Sequence, residues 1–189
     1  MGHWQKRLSL VEQAFDYYLK SYQDINSNKP TSFLDIGGGV GYYARAAMNR
    51  GIDACLADSA DDALEFARDQ LKVSWIVKCN IQKCADFLES DAFDFVLSRH
   101  TVEHMVDPEE FIYNIAQLLK RGGILEIETP NVASNEQFCH PMVSVETYRI
   151  IREHNPSLSN FSAFKYAFFK SMSGVNPPKH LWGFTKKRA

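Results

Sequence analysis

No stretch of this chain is apolar for the roughly 20 residues that a bilayer-spanning helix requires. Its first residues are polar and aromatic, without the apolar core of a secretion signal. Excess charge of one sign is also lacking. The 21 Lys and Arg against 23 Asp and Glu leave a formal net charge of -2, which offers no electrostatic footprint for nucleic acid or an anionic membrane. Cysteine is sparse, and the four present (Cys55, Cys79, Cys84, Cys139) show neither CxxC nor zinc-ribbon spacing. Reduced thiols in a cytoplasmic protein are the expectation. Internal repeats and low-complexity segments are absent too. What is present is an ordinary globular balance in 189 residues, enough for one domain with a sizeable core.

Along the chain, helical and strand patterns alternate. Trp4, Leu8, Val11, Phe15, Tyr18, Leu19 and Tyr22 recur at helical spacing, which predicts an amphipathic helix over residues 3 to 23. Asp24 to Thr31 holds Asn, Ser and Pro and reads as a linker. Strands are expected at Phe33 to Ile36, Ile52 to Ala57, Ser74 to Lys78, Phe93 to Leu97 and Ile124 to Glu128. Helices are expected from about Val40, over Asp61 to Leu71, and near Lys83 to Leu88. Asp107-Pro108-Glu109-Glu110 combines an Asp N-cap, a proline at the first position and a glutamate at the third, so a helix starts there and runs to about Lys120. Arg121-Gly122-Gly123 then turns into the fifth strand. Such alternation implies right-handed crossovers and a parallel sheet, an α/β Rossmann-like doubly wound fold.

The first strand runs into Gly37-Gly38-Gly39-Val40-Gly41, where glycines at 37, 39 and 41 let the backbone turn tightly and approach a ligand with no Cβ in the way. Many nucleotide cofactors use such a turn, and Gly39-Val40-Gly41-Tyr42-Tyr43-Ala44 also fits the G-x-G-x-x-A dinucleotide fingerprint. Asp35 discriminates between them. A carboxylate there, near the ligand's charged tail, would repel a pyrophosphate at roughly 1 kcal/mol for charges 4 Å apart in water, and more in a closed site. It would favour S-adenosylmethionine, which has no phosphate and carries an ammonium and a sulfonium. Asp58 closes the second strand about twenty residues after the turn, where an acid can accept both ribose hydroxyls of an adenosine. Ser59 beside it is counted with the cofactor residues.

The ordered set of motifs resembles the class I S-adenosylmethionine-dependent methyltransferases over about residues 31 to 185. Asp35-x-Gly37-x-Gly39-x-Gly41 resembles the family's first motif. Asn80-Ile81 stands where the family keeps an Asp or Asn and then an apolar residue, with the amide oxygen on the adenine amino group and the next N–H on a ring nitrogen. Phe93-Asp94-Phe95-Val96 followed by Glu103-His104 and Asp107-Pro108 is similar to the fourth-motif region, and Ser98 within it is counted to the cofactor site. Leu118 to Leu125 with Thr129-Pro130-Asn131 is similar to the lead into strand five. Pro178-Lys179-His180-Leu181-Trp182-Gly183-Phe184-Thr185 resembles a P-x-H-L-x-x-F-T/S motif of the branch that includes ubiquinone-type and bacterial small-molecule O-methyltransferases. The resemblance implies strand order 3-2-1-4-5 and S-adenosylmethionine as cofactor.

His100-Thr101-Val102-Glu103-His104 also fits H-x-x-E-H, a zinc-peptidase pattern. A zinc site needs a third protein ligand and a peptidase fold, and the sequence supplies neither. Some ubiquinone-type relatives bind a divalent cation at an E-x-x-E-H segment; here His100 replaces the first acid, so no metal is expected. Methyl transfer is mostly alignment of a nucleophile with the C–S bond, away from water. A hydroxyl nucleophile gains from a base near neutrality, which a histidine supplies. His104, in the family-like Glu-His pair, is the first candidate for base or substrate orienter, and His100 is the second.

One domain is expected, with an N-terminal helix and linker (1–30), a cofactor-binding core (31–133) and an aromatic segment (134–189) that covers the sheet or caps the acceptor. Only Lys186-Lys187-Arg188-Ala189 follow Phe184-Thr185. The expectation is therefore a sheet lacking the final antiparallel strand pair, with strand five at an edge where a homodimer could pair. The function expected is methyl transfer to a small-molecule acceptor at a hydroxyl oxygen, without nucleic-acid or membrane partners. Two alternatives stand beside it: a catalytically silent cofactor-binding or truncated regulatory module, and a nicotinamide-dependent oxidoreductase.

Overall fold

In the computed structural model, which describes residues 2–130, the alternation becomes one parallel sheet. Its strands are β1 (Ser32–Ile36), β2 (Asp53–Asp58), β3 (Trp75–Lys78), β4 (Phe93–Arg99) and β5 (Leu119–Glu128), in the order β3-β2-β1-β4-β5. The crossovers carry α2 (Tyr42–Met48), α3 (Asp61–Asp69), a 3-10 helix (Ile81–Asp86) and α4 (Pro108–Leu118). These elements form one compact unit, Met1–Glu128. The expected order is observed, and the chain reverses direction of winding between β1 and β4. A crevice opens at the carboxyl ends of the strands at such a point, which is where open α/β sheets bind ligands. The expected aromatic segment, the Pro178–Thr185 motif and the question of a final strand pair lie outside the described residues.

Phe33, Leu34, Ile36, Leu56, Phe95, Val96 and Leu97 are all buried, because a central parallel strand is covered on both faces. α1 (His3–Asn26) lays Phe15, Tyr18, Leu19 and Tyr22 on one face. Phe15 meets Phe33 edge-on with ring centroids 5.0 Å apart, and Tyr22 meets Phe95 at 5.5 Å. Each such buried ring contributes on the order of 1.5–3 kcal/mol by leaving water. Arg50 ties α1 to α2: its guanidinium pairs with Asp16 at 2.6 Å and donates to the Glu12 carbonyl at 2.8 Å and the Ala46 carbonyl at 2.9 Å. Phe111, Ile115 and Leu118 of α4 are also fully buried.

Several boundaries differ from the sequence reading, each for a local reason. α1 continues to Asn26 instead of stopping at 23, because Ser27 turns left-handed and its N–H closes on the Gln23 carbonyl at 2.8 Å. α2 begins at Tyr42 rather than Val40, since the Gly41 N–H first closes a turn onto the Gly38 carbonyl at 3.0 Å. The helix expected near Lys83 to Leu88 is a 3-10 helix that starts earlier, at Ile81, under an Asn80 side-chain cap. α4 starts as read, with the Asp107 carboxylate accepting the N–H groups of Glu109 and Glu110, both at 3.0 Å. It ends at Leu118, not Lys120. The Asp91 and Ala92 N–H groups take the carbonyls of Gln117 and Leu118, each at 3.0 Å, and Leu119 pairs with Phe93 as the start of β5. Lys120 is then held by Asp94 at 3.0 Å. The chain still turns at 121–123, as a shift in register between Phe93 and Phe95.

Asp94 anchors the amino ends of the central strands. Its Oδ2 accepts from the Thr31 N–H at 2.8 Å, the Thr31 hydroxyl at 2.6 Å and the Ser32 N–H at 2.9 Å. Burial pushes its carboxyl up, but these donors and Lys120 outweigh it and hold the group well below the usual carboxylate range. The Phe93-Asp94 pair is thus a structural staple at the end of the sheet opposite the crevice.

Candidate functional site

At the carboxyl end of β1 the chain enters the glycine turn, and its glycines do different work. A Cβ on Gly37 would stand 2.4 Å from the Thr101 hydroxyl, one on Gly38 would stand 2.3 Å from the Asp35 carboxyl carbon, and one on Gly41 would stand 2.8 Å from Leu56 Cδ2. A Cβ on Gly39 would meet nothing within 4 Å. Of the three glycines expected to approach a ligand, Gly39 is the one that faces open space. Gly37 and Gly41 are there for close packing inside the fold.

Asp35 is corrected in the same way. The sequence reading placed its carboxylate near the ligand's charged tail. The structure tucks it beneath the turn, 1% exposed, where it accepts the Ala44 N–H at 3.1 Å at the start of α2. Burial pushes its pKa up to about 7; the Ala44 N–H opposes this and the neighbouring Asp58 charge adds to it. Any influence on a ligand is Coulombic, through the backbone of the turn.

Asp58, at the end of β2, is 9% exposed and reaches across to the turn. Its Oδ2 accepts the Gly39 N–H at 2.8 Å, while Oδ1 accepts the N–H groups of Ser59 at 2.7 Å and Ala60 at 3.0 Å. Asn80, past β3, accepts the Gln82 N–H at 3.0 Å through its side-chain oxygen, which leaves its amide N–H pair directed elsewhere. An open cleft of about 640 Å³ lies between Ser59, Lys78–Ile81, Phe87 and Met105. The expected residues Ser59, Asn80 and Ile81 are therefore brought together on one cleft, with Asp58 adjacent in sequence. Phe87 and Met105 were missed. A 57% exposed Phe87 is unusual enough to matter once the fold is known, but a lone aromatic in a polar stretch gives no signal in sequence. Cys79 also lines the cleft, and burial pushes its thiol up to about 11, which keeps it protonated and inert.

Ser98, on β4 beside Ile36 of β1, is fully buried and its hydroxyl oxygen has no hydrogen-bond partner. A buried hydroxyl without a partner costs free energy, so the position fits a bound polar group or water. Next along the rim, His100 adopts a left-handed backbone with φ 52°. Its N–H donates to the Glu128 carbonyl at 2.8 Å. Its ring is flanked by two carboxylates: Nδ1 lies 3.6 Å from Glu103 Oε1 and Nε2 lies 3.4 Å from Glu128 Oε1. Glu128 also pairs with Arg99 at 2.8 Å and accepts the Tyr18 hydroxyl. Burial raises the Glu128 carboxyl, but the hydrogen bonds from Arg99 and Tyr18 prevail and hold it below its ordinary value. His104 is exposed on a short 3-10 turn (Val102–His104), one residue before Met105 of the cleft. His100, Glu103 and His104 of the H-x-x-E-H pattern share no helix, because His100 precedes the 3-10 turn in a left-handed conformation. Among the described residues no helix is long and apolar enough to cross a membrane.

The methyltransferase domain, as a family, matches residues 6–170 of this chain. A ubiquinone biosynthesis O-methyltransferase of Roseobacter denitrificans is 32% identical over 114 residues, covering 58% of this chain and 46% of that protein. A malonyl-[acyl-carrier protein] O-methyltransferase of Acetivibrio thermocellus is 30% identical over 125 residues, covering 63% of this chain and 42% of that one. This chain thus spans under half the length of those two relatives. The crystal structure of a SAM-dependent methyltransferase from Archaeoglobus fulgidus superimposes with a TM-score of 0.56 at 25% identity, over 78% of this chain and 67% of that one.

Proposed function

This chain belongs to the class I S-adenosylmethionine-dependent methyltransferases, and on that premise we propose that it transfers the cofactor's methyl group to a hydroxyl oxygen of a small-molecule acceptor. The O-methyltransferases among its relatives support oxygen as the methylated atom. The observation that carries the reading is the convergence of the open face of Gly39, the Asp58 carboxylate, the orphaned Ser98 hydroxyl and the cleft at Asn80-Ile81 on the carboxyl ends of β1, β2, β3 and β4.

These residues fit the group. Asp58 would take the ribose, and Asn80 with Ile81 and Phe87 would take the adenine between an amide and apolar surfaces. Gly39 and Ser98 would face the amino-acid tail. When bound, the cofactor supplies a methyl group already activated by its sulfonium. The chain's own part is to hold the acceptor in line, to exclude water and to receive a proton. Both ring nitrogens of His100 face carboxylates, so His100 serves as a fixed element of the rim, and His104 is the residue assigned to take the proton from the acceptor hydroxyl.

Titration calorimetry with S-adenosylmethionine, S-adenosylhomocysteine and NAD tests the cofactor. Binding of the first two without the third is expected, and binding of NAD alone would overturn the reading. Transfer of radiolabelled methyl into a cell metabolite extract, followed by identification of the labelled product, tests the acceptor. Label on nitrogen or carbon would overturn O-methylation.

A further inference from the structure

We propose that Gln82 is a positioning residue that sets the spacing across the cleft; this rests on the cleft's being the adenosine site. The cleft is lined from distant parts of the chain, with Lys78–Ile81 as a first wall, Met105 as a second, and Ser59 and Phe87 completing the lining. Gln82 follows the first wall directly, and its side-chain amide bonds the second wall's continuation at both ends. Nε2 donates to the Asp107 carbonyl at 2.7 Å, and Oε1 accepts the Asp107 N–H at 3.4 Å. Nε2 also donates to Glu110 Oε2 at 3.0 Å.

The far end of this link is rigid, because the Asp107 carboxylate is spent on capping α4. The near end is rigid as well: the Gln82 N–H donates to the Asn80 side chain at 3.0 Å, and its carbonyl accepts from Asn114 at 2.9 Å. Met105 is two residues before Asp107, and Asn80 is two residues before Gln82. One amide side chain therefore spans the two walls just behind the residues that line them. The Gln82 amide thus meets both the N–H and the C=O of one residue, Asp107, which fixes its orientation as well as its distance. The backbone bonds to Asn80 and Asn114 survive removal of the Gln82 side chain, so the fold survives while the spacing relaxes.

The test is calorimetry and steady-state kinetics on Gln82→Ala and Gln82→Asn, the latter one methylene too short to reach Asp107. Both variants are expected to bind S-adenosylhomocysteine about tenfold more weakly, which corresponds to ~1.4 kcal/mol. Adenosine alone should lose the same factor, and the loss in kcat at saturating cofactor should be smaller than the loss in affinity, even with His104 next to Met105 on the same wall. Glu110→Ala, which removes one of the Gln82 contacts but keeps the Asp107 pair, should bind as the wild type does. Folded Gln82→Asn with wild-type affinity for both ligands would overturn the assignment. So would a loss confined to kcat. A wild-type chain that binds neither ligand would instead overturn the reading of the cleft itself.

Discussion

The carboxylate of Asp58 accepts the N–H of Gly39 at 2.8 Å, joining the end of β2 to the one glycine of the turn that faces open space. A carboxylate offers about four lone-pair sites. Gly39, Ser59 and Ala60 take three, so one is left on Oδ2 for a ligand. Asp58 as it stands has room for one ribose hydroxyl of the proposed cofactor, and a second would require the Gly39 N–H to move aside.

Replacing Asp58 with alanine is expected to weaken S-adenosylhomocysteine binding by about 1.5–3 kcal/mol, the range for a charge-assisted hydrogen bond. It should also lower the melting temperature, because three N–H groups lose their acceptor. Titration calorimetry with a parallel melt separates the two effects, and an unchanged dissociation constant would remove Asp58 from the ribose site.

Alanine at Gly38 and at Gly39 should behave oppositely. At Gly38 the new Cβ collides with the buried Asp35 carboxyl, so the folded yield should collapse. At Gly39 there is room, and the cost is the left-handed backbone at φ +55°, about 1–2 kcal/mol. Gly39→Ala should fold with a modest loss of stability and lose cofactor binding. If Gly39→Ala binds normally, the open face of that glycine is not a ligand surface.

Asp35 makes stability depend on pH in an unusual direction. Its folded pKa, about 7, lies above the value near 3.9 of an unfolded chain, so the folded state holds the proton more tightly. Its contribution is full below the unfolded pKa and is lost as pH rises through about 7. Asp35→Asn keeps an acceptor for the Ala44 N–H and cannot ionise. Denaturant melts should show the variant gaining on the wild type as pH rises from 4 to 8. A constant difference over that range would show that Asp35 stays ionised in the fold.

The two histidines should separate in kinetics. His104→Ala is expected to lower turnover by on the order of 10²–10⁴-fold with little change in cofactor affinity, the range for loss of a general base. His100→Gly should cost less turnover, and it relieves a left-handed backbone at φ 52°. The pH–rate profile of the true substrate is the check: the limb of an essential base should vanish in His104→Ala and persist in His100→Gly. The reverse pattern would transfer the role to His100.

Much of the fold was legible because its signals are local. The apolar run into the glycine turn, the Asp107 cap with Pro108 and the spacing of strands and helices depend on hydrogen bonds and side-chain periodicities within a few residues. These suffice for the sequence of elements, while the strand order came from the resemblance to the methyltransferase family. The boundaries that moved were those where a distant partner competed. Leu119 and Lys120 have helical neighbours behind them, but Phe93 and Asp94, some 26 residues away, draw them into β5.

The site was legible as a set of positions and not as a set of directions. The sequence by itself determined that Asp35, the glycines, Asp58 and Asn80-Ile81 stand at or just past the ends of successive strands, and the parallel order then brings strand ends together. Only the tertiary structure decided that Asp35 points under the turn, that Gly39 alone is open, that Gln82 bridges to Asp107, and that His100 stands between Glu103 and Glu128. Each of these depends on where a side chain finds room or a partner across the sheet. Register and packing over tens of residues set that room, and no local pattern of residue types encodes it.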